Sequence, residues 1–144
     1  MSTRNWLPTV LRARSAQEDL AARRVALARR DANVAAAQCD EQQARVAALG
    51  RPATGNVAQF QAELASQQQA AATLAASANR VMFAEGRVAI GLRELTEAAT
   101  ARRTVEKLNE RDQEQQLRSA TDSAQREQDE VSISRHAAER RVAG

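Results

Sequence analysis

Glycine and proline occur at few positions in this chain, and those positions limit where helices can begin and end. Neither residue occurs between Pro8 and Leu49, then Gly50 and Pro52 follow, and no proline occurs after that. Glycine suits the left-handed conformation that closes a helix, and a proline two residues later prevents the helix from resuming. The pattern predicts one domain over 1–144, with a helix over about 10–49, a turn over 50–56 and a helix over about 57–140.

Two pairs of residues resemble helix-capping signatures. Ser15 is followed three residues later by Glu18, and Asn56 is followed three residues later by Gln59. Proline is tolerated in a first helical turn, so the first helix should begin between residues 8 and 16. A connection of only a few residues then folds the second helix back antiparallel against the first.

The amino-acid composition favours helices over a sheet or a globular core. The 144 residues include one Trp, two Phe and no Tyr, while Ala, Gln, Glu, Arg and Leu make up most of the chain. Such a composition is typical of coiled coils. The predicted fold class is therefore all-α, with two long antiparallel helices that form a coiled-coil hairpin and a second helix much longer than the first.

A seven-residue repeat predicts which residues of the second helix face the first. One set of positions is Val57, Leu64, Ala71, Ala78, Glu85, Leu92 and Ala99. The other set is Phe60, Gln67, Leu74, Val81, Val88, Leu95 and Arg102. Most members of both sets are apolar, as a coiled-coil seam requires. On the first helix the predicted stripe is Leu20, Leu27, Val34, Cys39, Val46 and Leu49.

The short connection also suggests a register, with Leu49 opposite Val57. Leu27 would then lie near Ala78 and Val34 near Ala71, and Glu85 would lie near Arg23 and Arg24. A charge in a seam is tolerable when a cation lies beside it. This register leaves the second helix unpaired from about residue 97 onward, where apolar residues are sparse.

The chain contains little that could carry catalysis. Its single histidine, His136, and single cysteine, Cys39, are far apart in sequence, and no phosphate-binding loop or metal-ligand spacing occurs. We therefore expect no enzymatic activity and no catalytic, cofactor-binding or metal-binding residue. The roles of Cys39, His136 and Trp6 stay open, and Trp6 could staple the helix start or anchor on a partner.

Charge and hydropathy argue against nucleic-acid and direct membrane partners. The formal net charge is only +3, and Arg23, Arg24, Arg29 and Arg30 have alanines among them and an acid, Asp31, directly after them, but no aromatic residues. The N-terminus lacks the apolar run of a signal peptide, and no stretch approaches the length of a membrane span. The expected location is cytoplasmic.

Phe83 and Ile90 lie seven residues apart and opposite the predicted seam, with Gly86 and Gly91 nearby. An apolar stripe outside the core suggests a docking patch for a partner. The alternative is that the seam drifts here and that Phe83 packs against the first helix.

The segment from Arg102 to Arg111, with the sequence RRTVEKLNER, precedes a charged run that includes Asp129, Glu130 and Val131. Together with the two-helix layout, these segments resemble the FliJ family, the coiled-coil component of the flagellar (type III) protein export apparatus, over nearly the whole chain. The resemblance implies a cytoplasmic stalk and chaperone component of flagellum biogenesis. Its implied partners are the hexameric export ATPase, the cytoplasmic domain of the export gate and export chaperones. It would meet the inner face of the cell membrane only through these partners.

The resemblance also implies contact residues. Contact with the export gate falls near the hairpin tip, on Gln42, Val46, Leu49, Phe60, Leu64, Gln67 and Ala71. Phe60 and Leu64 also fit the seam, so core and contact roles both stay open. Contact with the ATPase falls on the overhang, on Arg102, Arg103, Lys107, Arg111, Arg118 and Arg126. Two alternatives stay open: the stalk of a virulence-type secretion system, and a structural coiled coil that self-associates.

Overall fold

A computed structural model of the chain describes residues 6–50 and 55–144. It contains helix α1, Leu7–Ala48, of 42 residues, and helix α2, Val57–Val142, of 86 residues. No strand occurs in these two described ranges. The predicted fold class is confirmed, including the large difference in length between the two helices.

Helix α1 begins earlier than its capping signature suggested. The backbone N–H of Val10 donates to the carbonyl oxygen of Trp6 at 3.0 Å, so the helix is already formed when it reaches Ser15. Leu7 is only 2% exposed. Its burial stabilises the first turns, whereas a capping signature is only a local signal.

The boundaries at the connection follow the sequence closely. Gly50 has a φ of 64°, the left-handed conformation that was expected after the last turn of α1. The side-chain oxygen of Asn56 accepts a hydrogen bond from the backbone N–H of Gln59 at 2.8 Å, which caps the start of α2. Pro52 lies outside the described residues.

The residues cluster into two compact units, which we describe separately. The hairpin unit is Ser15–Thr100, and it contains most of α1 and the first half of α2. The terminal unit combines the residues up to Arg14 with the residues from Ala101 onward. The prediction of a single domain stays a prediction.

Three contacts define the register of the hairpin unit. Gln67 donates to the carbonyl oxygen of Gly50 at 2.7 Å, Arg87 lies 3.9 Å from Asp31, and Gly91 lies against Val25. Residue numbers rise on one helix as they fall on the other, so the helices are antiparallel. Because Gly50 lies beside Gln67, the first turns of α2 extend past the end of α1.

The expected register was therefore wrong by about ten residues. Leu49 does not pair with Val57, and Leu27 and Val34 do not face Ala78 and Ala71. The short connection does not force the first residue of α2 against the last residue of α1, since α2 runs for about ten residues before it meets Gly50.

The seam of α2 uses only one of the two predicted sets. Its buried and half-buried positions, at alternating steps of three and four residues, are Gln67, Ala70, Leu74, Ser77, Val81, Ala84, Val88, Gly91, Leu95 and Ala98. The set from Gln67 to Leu95 is confirmed, although Phe60 at its start is exposed. The set that contained Glu85 and Leu92 is wrong by one residue and lies mainly in solvent. Glu85 is thus not a seam charge beside Arg23 and Arg24.

The seam of α1 has alanine at four of its nine positions. Its positions are Glu18, Ala21, Val25, Ala28, Ala32, Ala35, Cys39, Gln42 and Val46. Cys39 and Val46 were predicted correctly, but Leu20, Leu27 and Val34 are 48%, 60% and 52% exposed. Small side chains let two helix backbones approach closely, whereas leucines at the same positions would hold the helices apart. The prediction that large apolar residues at seven-residue spacing form the seam of α1 was therefore wrong for Leu20, Leu27 and Val34.

In the terminal unit, burial ends well before the helix does. Leu7 is buried in α1, and on α2 the half-buried positions are Ala101, Arg102, Val105, Glu106, Asn109 and Asp112. Every residue from 113 to 144, the last 32 of the chain, is exposed, although α2 continues to Val142. The exposed overhang begins at residue 113, whereas the expected overhang began at about residue 97. The observed register pairs each residue of α1 with a residue about ten positions later on α2 than was expected, so a longer part of α2 is partly buried.

Candidate partner-binding surfaces

The side chains that could carry chemistry are dispersed. Among residues 6–50 and 55–144 no group of three or more His, Cys, Asp or Glu side chains could hold a metal ion. Cys39 is half-buried in the seam, and His136 is exposed on α2, with Nδ1 3.6 Å from a carboxylate oxygen of Glu139. Over the described residues, neither helix is both long and apolar enough to span a bilayer.

The tip surface, as the sequence proposed it, separates into two groups. Its members are Gln42, Val46, Leu49, Phe60, Leu64, Gln67 and Ala71. Gln42, Val46 and Gln67 are half-buried and continue the seam, whereas the other four are exposed. The structure thus leaves Leu49, Phe60, Leu64 and Ala71 accessible to a partner.

Gln67 has a structural role at the tip. Its side-chain amide donates to the carbonyl oxygen of Gly50 at 2.7 Å. The last carbonyls of a helix and its closing turn have no partner within the helix, so this bond satisfies one of them from the opposite helix. Gln67 therefore ties the closing turn of α1 to α2.

Phe60 and Leu64 form an exposed apolar pair. They lie four residues apart, on the same side of α2, and they are 46% and 39% exposed. They belong to the first turns of α2, which extend past the end of α1. Phe60 and Leu64 are therefore surface residues, and the core role that the sequence left open for them is wrong.

The six basic residues that were predicted to contact the ATPase, which we call the stalk surface, include one that is partly buried. Arg102 is half-buried and donates to Glu106 at 2.7 Å, whereas Arg103, Lys107, Arg111, Arg118 and Arg126 are exposed. At 3.6 residues per turn, Arg103, Lys107, Arg111 and Arg118 fall within an arc of about 80°. These four residues form a basic strip along α2. Glu114, whose carboxylate lies 3.9 Å from Arg118, is an acidic residue within the same arc.

Phe83 and Ile90 belong to a larger exposed surface, which we call the apolar face. Phe83 is 71% exposed and Ile90 is 55% exposed, so the alternative that Phe83 packs against α1 is wrong. Leu27 and Ile90 line the same groove of about 290 Å³, whose floor includes Ala28 and Gly91. The apolar face consists of Leu20, Leu27, Val34, Phe83 and Ile90.

The two glycines near this face have different surroundings. A Cβ atom at Gly91 would lie 3.2 Å from Cγ2 of Val25, so Gly91 belongs to the seam and not to the docking patch. A Cβ atom at Gly86 would meet nothing within 4 Å. Glycine inside a helix costs about 1 kcal/mol relative to alanine. At Gly86, no contact within the hairpin unit explains why glycine is present instead of alanine.

Sequence reasoning identified Phe83 and Ile90 but missed the α1 part of the apolar face, because it assigned Leu20, Leu27 and Val34 to the seam. A usable signal was present in the spacing of the small residues. Ala21, Ala28 and Ala35 repeat every seven residues on α1. On α2 the small residues at the same interval are Ala70, Ser77, Ala84, Gly91 and Ala98. Positions occupied by small residues at this spacing indicate close helix packing.

Comparison with known proteins relates nearly the whole chain to one family. A family model described as the flagellar FliJ protein matches residues 4–141. No curated protein and no solved structure matches the chain.

Proposed function

Since this chain belongs to the flagellar FliJ protein family, we propose that it is the non-enzymatic coiled-coil adaptor that links the export ATPase ring to the export gate. Membership of the family makes it a component of the flagellar export apparatus, and the family is not catalytic. In this proposal the adaptor also assists export chaperones. It acts in the cytoplasm and meets the membrane only through its partners.

The observation that carries the proposal is the exposed overhang. Residues 113–144 continue α2 with every side chain exposed, so this part of the helix buries nothing within the described chain. A helix without a packed face derives little stability from its own sequence, because most helix stability in proteins comes from packing. A partner that surrounds the overhang would supply the missing contacts.

Charge supports the ATPase as that partner. The basic strip of Arg103, Lys107, Arg111 and Arg118 precedes and enters the overhang, and its members are exposed. Exposed charges on a helix can exchange partners without repacking a core, because their contacts are weak and partly solvated. Such contacts suit a stalk that must accommodate changes within an ATPase ring.

The tip supplies the second half of the proposed link. Leu49, Phe60 and Leu64 are accessible apolar residues near the end of α1 and the start of α2. Apolar and aromatic side chains of this kind anchor protein interfaces. We assign contact with the export gate to them, with Ala71 beside them and with Gln42, Val46 and Gln67 as supporting residues.

The test is a binding experiment with purified export ATPase hexamer and the cytoplasmic domain of the gate. A chain that ends at Asp112 removes only exposed residues, so we expect it to retain the hairpin by circular dichroism and to bind the gate domain. Because it keeps Arg103, Lys107 and Arg111, it should bind the ATPase more weakly than the full chain but still detectably. Equal ATPase affinity of the two chains would contradict the assignment of ATPase contact to the overhang.

Sedimentation separates this function from self-association. A monomer that binds both partners supports the adaptor. A dimer that forms with rising concentration, and that disappears in the chain ending at Asp112, would instead support a structural coiled coil that pairs through its overhang.

A further inference from the structure

We propose that the apolar face is a separate binding surface, which takes an amphipathic helix with acidic flanks from a partner protein. The surface lies in the middle of the hairpin unit. It shares no residue with the tip or stalk surfaces, so the inference does not depend on their assignments.

The spacing of the apolar face indicates a helical occupant. Leu20, Leu27 and Val34 repeat every seven residues on α1, and Phe83 and Ile90 do so on α2. Seven residues are two turns of a helix, so each set forms a straight stripe. A partner helix whose apolar residues repeat at the same interval can meet these stripes over several turns.

The two stripes border one groove. Leu27 and Ile90 lie on its opposite sides, and small residues, Ala28 and Gly91, contribute to its floor. Antiparallel pairing then places Val34, seven residues after Leu27, on the same level as Phe83, seven residues before Ile90. The pairs Leu27–Ile90 and Val34–Phe83 therefore form two successive rungs along the groove.

Gly86 lies beside the α2 stripe, on the edge away from the groove. It follows Phe83 by three residues, as Arg93 follows Ile90, so Gly86 and Arg93 lie in one row along that edge. A Cβ atom at Gly86 would meet nothing within 4 Å. The edge of the stripe between Phe83 and Ile90 therefore carries no side chain that would obstruct a helix packed on them.

The charged residues on and beside the apolar face indicate which charges a partner helix should carry. The arginines on the face and its edges are Arg23, Arg24, Arg30, Arg80, Arg87 and Arg93. The acids are Asp31, Glu94 and Glu97. Asp31 already faces Arg87 at 3.9 Å, and Glu94 lines the groove with Arg24. The excess positive charge therefore lies mainly on the outer edges, where Arg23, Arg30 and Arg93 flank Leu27 and Ile90 within one turn.

This excess also argues against a second copy of the chain as the occupant. Two copies of the same face would bring like charges together, which raises the free energy of the complex. A helix with Asp or Glu beside its apolar residues would place opposite charges along both edges. Acidic flanks are thus the complementary choice.

The test uses the full chain and two labelled 21-residue helical peptides, measured by fluorescence anisotropy. Both peptides carry leucines at coiled-coil spacing, one with glutamates and one with lysines at the flanking positions. We expect the glutamate peptide to bind at least about tenfold more tightly, since like charges oppose the lysine peptide. Equal affinities, or no binding of the glutamate peptide, would overturn the proposal.

Variants locate the binding surface. Phe83→Gln should weaken binding of the glutamate peptide by about tenfold or more with little change in the melting temperature, because the side chain of Phe83 is 71% exposed. Met82→Gln is the matched control, since Met82 is as exposed as Phe83 but lies about 100° away around α2. Equal losses in both variants would contradict a site on the apolar face.

Two further measurements exclude other occupants. Sedimentation equilibrium of the wild-type chain should give a monomer, and a dimer that Phe83→Gln dissociates would assign the face to a second copy instead. Vesicles that contain anionic phospholipid should not bind the chain through this face. Vesicle binding that Phe83→Gln abolishes would assign the face to a lipid surface.

Discussion

Gly91 of α2 lies against Val25 of α1 so closely that a Cβ atom at Gly91 would stand 3.2 Å from Cγ2 of Val25. Most Cβ contacts in proteins are longer, so the missing side chain allows this approach. Five residues earlier, Gly86 has open space around it. The two glycines of α2 thus serve different purposes, one inside the hairpin unit and one on its surface.

Substitution of the two glycines should change stability in opposite directions. We expect Gly91→Leu to lower the free energy of unfolding by about 1–3 kcal/mol, because the larger side chain overpacks the seam against Val25. Gly86→Ala should raise it by up to about 1 kcal/mol through helix propensity alone. Urea unfolding followed by circular dichroism measures both. A Gly91→Leu variant as stable as the wild type would contradict the close packing.

The register predicts a specific disulfide. Cys39 lies fourteen residues after Val25 and Ser77 lies fourteen residues before Gly91, so the seven-residue repeat places them opposite each other. Ser77 is buried and Cys39 is half-buried. We expect Ser77→Cys to form an intramolecular disulfide with Cys39 under mild oxidation, which thiol titration detects as the loss of both free thiols. Ala78→Cys, at the exposed neighbouring position, should retain them, because its Cβ points away from the seam.

Charge reversal on the basic strip should weaken ATPase binding. We expect the combined variant Arg103→Glu, Lys107→Glu and Arg111→Glu to reduce affinity by about tenfold or more, because each exposed cation becomes an anion. Added salt should weaken the wild-type complex as well, since it screens surface charge. Binding is measured by surface plasmon resonance. Arg140→Glu with Arg141→Glu is the control at the C-terminus, and an equal loss there would indicate that only net charge matters.

Variants at the tip should separate binding from stability. Phe60→Gln with Leu64→Gln should weaken contact with the gate domain, and it should change the free energy of unfolding by only about 0.5 kcal/mol, because both side chains are substantially exposed. Gln67→Ala should instead lower the free energy of unfolding by about 1 kcal/mol through loss of its bond to Gly50. Calorimetric binding and urea unfolding distinguish the two effects. Gate binding that survives loss of Phe60 and Leu64 would move the contact elsewhere.

The candidate surfaces could be predicted only in part. Phe83 and Ile90 were recognisable as apolar residues outside the seam, because they break the pattern of the residues around them. Leu27 was not, since its spacing fits a seam equally well, and only its exposure in the folded hairpin reveals it. Arg102 likewise resembled its basic neighbours, and only its partial burial in the terminal unit distinguishes it from them.

The amino-acid sequence by itself determined the features that depend on local interactions. Gly50 marks the end of α1 through its left-handed backbone conformation, and Asn56 marks the start of α2 through its capping hydrogen bond. Both effects need only neighbouring residues. Tertiary structure decided which stripe of each helix is buried and how far one helix is displaced along the other. Two long helices with a seven-residue repeat can pair in several registers, and close contact between small residues such as Gly91 and larger ones such as Val25 distinguishes among them.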